Sequence, residues 1–158
     1  MRILGIDPGV GRVGWGVVEK NGPKVSAIAY DCFETVSSLD LAKRLVLIYT
    51  EMNRLLTTYQ PEVLAIEELF FNKNVKTAFA VGQARGVIFL AAQQSEVPLA
   101  IYTPTVVKST VTGYGKAEKK QVGEMVKLQL HLPKIPTPDD TADALAIALT
   151  HAFTKKYV

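Results

Sequence analysis

Ile3-Leu4-Gly5-Ile6-Asp7-Pro8-Gly9-Val10-Gly11-Arg12-Val13-Gly14-Trp15-Gly16-Val17-Val18 decides the fold. An apolar run ends on an acid, a Pro-Gly turn follows, and a second run rich in β-formers begins at once. Gly9 to Gly14 satisfies G-x-G-x-x-G, the pattern of a dinucleotide loop, but that loop must open a helix whose N-terminus holds the pyrophosphate. Gly14-Trp15-Gly16-Val17-Val18 continues instead with two glycines and β-branched residues, which favours a strand. The glycines are expected to serve a hairpin that needs positive φ.

Working outward, Ile3–Ile6, Val13–Glu19 and Val25–Thr35 read as three strands with short turns, the second at Asn21-Gly22-Pro23, and so as an antiparallel meander. Ser37 or Ser38 is the expected cap of a helix with apolar positions Leu41, Leu45, Ile48, Met52, Leu55 and Tyr59, ending before Pro61. Val63–Glu67 then reads as a strand returning parallel to the first. A helix over about 75–95, a strand at Leu99–Tyr102, a short helical piece from Pro104, and helices over 117–130 and 140–154 complete the chain. The order βββ-α-β-α-β-α-α, with the Pro104 piece as an addition, gives an α/β fold: a mixed sheet, three strands in a meander plus parallel strands, flanked by helices.

The 158 residues are 48% hydrophobic and 21% charged, as for one globular domain spanning 1–158, and no repeat or low-complexity segment interrupts them. No apolar stretch approaches the length of a bilayer span, and no secretory h-region follows Arg2, so no membrane association is expected. Cys32 alone makes no internal disulfide, and a cytoplasmic location is the expectation. The net charge of +3 is uneven: six lysines and two acids lie between Lys108 and Lys134. Such a run is either a solvated face or a face for a polyanion.

Asp7 and Glu67 each end a strand of the parallel pair, which brings them to the carboxyl edge where open α/β sheets place their sites. Asp140 and Asp143 are three apart at the start of a helix and share a face. Asp143 precedes Ala144-Leu145-Ala146-Ile147-Ala148-Leu149, a stretch for burial, so this acid needs a cation. Alternatively, Asp7 initiates the Pro-Gly turn and the acids near 140 complement a helix dipole. If all four converge, countercharge is required, and an all-oxygen set without Cys or His pairs selects Mg²⁺ or Mn²⁺. Two such ions about 4 Å apart suit in-line displacement at a phosphodiester. His131 and His151 have no partner at metal-ligand spacing.

Gly5-Ile6-Asp7-Pro8-Gly9, Ala65-Ile66-Glu67, Gly82-Gln83-Ala84-Arg85-Gly86 and Asp140-Thr141-Ala142-Asp143-Ala144-Leu145-Ala146, in this order, resemble the RuvC family of Holliday junction resolvases. The similarity runs from Arg2 to about His151. It implies a ribonuclease H-like fold, a homodimer, and paired nicks in two like-polarity strands of a four-way DNA junction in recombination and repair. By position, Asp7, Glu67, Asp140 and Asp143 are then the catalytic, metal-binding acids, for Mg²⁺ with Mn²⁺ able to substitute, two ions per site. The candidate DNA contacts on this reading are Phe70, Lys73, Arg85, Lys108, Lys116 and Lys119. Phe70, with Phe71, either engages unstacked bases or belongs to the core. RuvA and RuvB are the partners the resemblance implies. The sequence ends at Val158, short of the basic C-terminal extension of longer family members, so contacts from such a tail are not carried over. A ribonuclease H-like nuclease acting on another nucleic acid and a non-catalytic junction-binding module remain as alternatives. The second helix, through Ala78, Val81, Gly82, Ala84, Arg85, Gly86 and Ile88, serves either dimerisation or the core.

Overall fold

The structure, a computed structural model, describes residues 1–70 and 74–154. Five strands form one sheet: β1 (Arg2–Asp7), β2 (Arg12–Asn21), β3 (Lys24–Glu34), β4 (Val63–Glu67) and β5 (Leu99–Tyr102), in the order β3-β2-β1-β4-β5. β1, β2 and β3 are antiparallel neighbours, while β4 runs parallel to β1 and β5 parallel to β4. The helices are α1 (Leu41–Tyr59), α2 (Val75–Gln94), α3 (Pro104–Thr112), α4 (Lys119–Gln129) and α5 (Asp139–Phe153). The mixed sheet agrees with the sequence reading, and the Pro104 piece is a full nine-residue helix, with Pro104 in its first turn and the Thr103 hydroxyl accepting from the Val106 N–H at 3.2 Å.

Strand alternation divides the core in two. Leu4, Ile6, Trp15, Val17, Leu64 and Ile66 face α1 and α2, where they meet Ile48, Met52, Leu55, Ala84 and Ile88. Ile3, Val18, Val63 and Ala65 face the other way, toward Val107 of α3, Val122 and Val126 of α4, and Leu145 to Leu149 of α5. Asp7 has the parity of Ile3, and Glu67 that of Val63 and Ala65. Both acids therefore belong to the α5 face, at the ends of adjacent parallel strands.

Three sequence expectations need correction. The cap position of α1 is Asp40, without a side-chain cap bond, rather than Ser37 or Ser38, which lie in a preceding turn. The hairpin glycines are not there for positive φ: among the described glycines only Gly22 and Gly113 adopt it. Gly5, Gly14 and Gly16 instead line the track on which α5 lies. A β-carbon on Gly14 would overlap the backbone of Asp140, one on Gly5 that of Ala144, and one on Gly16 would come within 2.6 Å of Leu145 Cδ2. Finally, α2 is long and apolar enough, by length and composition, to cross a membrane. In the fold one side of it packs on the core, with Ala84, Arg85, Ile88, Ala91 and Ala92 buried.

Candidate active site

The glycine track seats α5 directly over the end of β1, with Asp140 against Gly14, the register partner of Asp7. Asp7, Glu67 and Asp143 line one cleft of about 280 Å³, together with Lys108 of α3 and Lys119 of α4. Pro104, Val107, Val122 and Ala146 form its apolar walls. Asp140, one turn back on α5, lies outside this lining but near enough that its charge acts on Asp7. The four acids thus come from two strands and one helix.

Their crowding is visible in their protonation. Burial, then the charges of Asp143, Asp140 and Glu67, push the Asp7 carboxyl up to about 8 from its ordinary 3.8, opposed only in part by Lys119. Glu67 is also raised, by burial first and Asp143 second, with Lys108, Lys119 and Arg85 acting against the shift. The cation that Asp143 needs is Lys119, whose Nζ donates to Asp143 Oδ2 at 2.9 Å. That bond holds the lysine above its ordinary value.

The donor set fits a hard divalent cation. It is all oxygen, it crowds negative charge at Asp7, and the histidines are elsewhere: His131 is exposed, and His151 Nδ1 pairs with the Tyr102 hydroxyl at 2.6 Å. Among the described residues no three acids or histidines are drawn tightly around one point, and Lys119 supplies local positive charge.

The remaining sequence candidates separate clearly. Lys108 and Lys119 flank the acids, whereas Lys116 is exposed in the α3–α4 turn outside the cleft lining. Phe70, three residues past Glu67, is 54% exposed, which removes the core reading for it. Phe71 and Lys73 lie outside the described residues. Arg85, expected to face DNA, is turned inward: it is 9% exposed and donates through Nη1 to the Glu67 carbonyl. Arg12 was missed by the sequence reading. Its guanidinium lies 4.0 Å from Asp140 Oδ2 and 3.1 Å from Glu34 Oε1, and the one signal for it was a lone cation at the start of β2. Cys32 lies nearby with its thiol pushed up to about 11, chiefly by burial.

A mixed sheet with acids from β1, β4 and α5 gathered at one edge defines a class, the ribonuclease H-like nucleases. Residues 3–151 match the family profile described as crossover junction endodeoxyribonuclease RuvC, and the chain belongs to that family. It is 54% identical to the RuvC crossover junction endodeoxyribonuclease of Brevibacillus brevis over all of this chain and 95% of the relative. To that of Thermosipho melanesiensis it is 56% identical over 94% of each. Thermus thermophilus RuvC in complex with Holliday junction substrate superposes with a TM-score of 0.92 at 38% identity, covering 97% of this chain and 93% of that one. The yeast mitochondrial resolvase Ydc2, at 16% identity and a TM-score of 0.69, shares the fold.

Proposed function

We propose that the chain, as one nuclease domain over residues 1–158, resolves four-way DNA junctions by metal-dependent nicking of two strands of like polarity, in homologous recombination and repair. The observation that carries this reading is the convergence of Asp7, Glu67 and Asp143 in one cleft beside Lys108 and Lys119, with Asp140 close behind. Family membership and the junction-bound Thermus relative support the substrate.

Asp7, Glu67, Asp140 and Asp143 would hold Mg²⁺, or Mn²⁺ in its place, as two ions. Bound there, the ions supply charge for activating a water and stabilising the leaving oxygen. Lys108 and Lys119 attract the phosphates flanking the cut, a salt-sensitive contribution. Asp143, which Lys119 holds at 2.9 Å, would be freed as a ligand if that lysine paired with phosphate instead. Phe70 is exposed three residues past Glu67, and on this reading it stacks on a base freed from pairing. Lys116, exposed before α4, extends the basic approach; Arg85 does not, because it is buried.

A second copy completes the enzyme. The outward side of α2 carries Val75 (67% exposed), Phe79 (67%) and Leu90 (52%), and a β-carbon at Gly86 would meet nothing within 4 Å. An apolar stripe opened by a glycine suits an isologous contact, and a twofold enzyme presents two sites to the two equivalent strands of a junction. Of the α2 positions singled out in the sequence, Ala78, Ala84, Arg85 and Ile88 belong instead to the protomer's interior. RuvA and RuvB are the further partners of this reading, and the cytoplasm its place of action.

The test is cleavage of a labelled mobile four-way junction beside matched duplex and RNA–DNA hybrid, with Mg²⁺ and with chelator. Symmetric nicks confined to the junction and abolished by chelator are expected. Cleavage of the hybrid instead overturns the substrate, and junction binding without cleavage overturns the enzyme.

A further inference from the structure

Arg85 is the one charged residue among the described residues that is buried. Removing a guanidinium from water is costly unless its donors are used. Yet Arg85 takes part in none of the ion pairs among those residues. Its Nη1 donates to the main-chain carbonyl of Glu67, and its guanidinium carbon lies 5.1 Å from the centroid of the Phe89 ring, one turn further along α2. Glu67 follows the last registered pair of β1 and β4, Ile6 with Ile66. On the other side β4 is still tied to β5, where the Glu68 N–H donates to the Tyr102 carbonyl at 2.7 Å. The end of β4 is therefore anchored toward β5 by the sheet, and Arg85 supplies a further anchor from a helix on the face opposite the cleft.

We propose that Arg85 is a positioning residue for Glu67: from the α2 layer it fixes the main chain from which the Glu67 carboxylate reaches into the cleft. The assignment rests on Glu67 being one of the acids of the cleavage site. The Phe89 ring offers the guanidinium a surface to rest on, and an apolar side chain of similar length would supply no donor to the Glu67 carbonyl. Groups that orient ligands in this way set metal affinity and rate by roughly 10- to 100-fold.

The experiment compares wild type with Arg85→Met and Arg85→Lys. Each is checked for folding by circular dichroism, then measured by calorimetric Mn²⁺ titration without DNA, by junction affinity in chelator, and by single-turnover cleavage in Mg²⁺. Arg85→Met is expected to weaken Mn²⁺ binding and slow cleavage, each by roughly 10- to 100-fold, at unchanged junction affinity, and Arg85→Lys to recover part of both. Folded Arg85→Met with wild-type Mn²⁺ binding and rate overturns the proposal, as does a loss confined to junction affinity, which would return Arg85 to DNA contact. Should Arg85→Met not fold, Phe89→Leu keeps the arginine but removes its stacking surface. A smaller loss in the same two readouts supports the proposal, and no loss overturns it. Wild-type protein that binds Mn²⁺ but cuts no junction overturns the functional reading instead, and the Mn²⁺ titration of the variants still decides on Arg85.

Discussion

Burial and three neighbouring carboxylates lift Asp7 to about 8, so between 3.8 and about 8 the folded protein keeps a proton there that the unfolded chain has released. The folded state binds more protons over that window. Its stability without metal is therefore full below about pH 4 as far as Asp7 is concerned, and that contribution is lost as pH rises through 8. Glu67, raised in the same direction, adds to the trend. Thermal melts in chelator are expected to show the slope, and Asp7→Asn to flatten it, leaving the variant more stable than wild type at pH 8.5. The same substitution is expected to abolish junction cleavage, by at least about 1000-fold in single-turnover rate, while gel-shift affinity for the junction persists. An unchanged rate removes Asp7 from the chemistry.

Among the elements, α5 depends most on its neighbours' lack of side chains. Gly14→Ala is expected to force the start of α5 away from β2, costing about 1–3 kcal/mol of stability by chemical denaturation and lowering cleavage in the molecules that remain folded. The sheet edge was legible in the sequence: Asp7 and Glu67 were read as the ends of neighbouring parallel strands, and the bounds of β4 and β5 were read as they stand. The purpose of Gly14 was not, since the atom it makes room for belongs to Asp140, far away in sequence. Arg85 misled for a related reason. A cation in an apolar helix reads as a surface group until the partner that justifies burying it, here a main-chain carbonyl, is in view. Asp143 was the reverse case, because its apolar surroundings announced the need for a cation, and Lys119 supplies it.

At the scale of the molecule, the acids and lysines lie on the α5 side of the sheet and the exposed stripe of α2 on the other, so DNA and a second copy need not compete for one surface. Phe79→Glu is expected to weaken self-association by about 2 kcal/mol or more, roughly thirtyfold, in sedimentation equilibrium. Since Phe79 is 67% exposed, the melting temperature of the protomer should hold, and nicking should become unpaired. A variant that stays dimeric and cuts both strands together would place the contact elsewhere. The bed of glycines under α5 also carries a lesson for design. Asp140 and Asp143 ride on one rigid rod while Asp7 and Glu67 are fixed to adjacent strands, so the site has a single adjustable dimension, the gap between rod and sheet. Any remodelling of that bed moves two acids in concert, as a caliper jaw moves, and changes their distance from Asp7 and Glu67 without altering a single carboxylate.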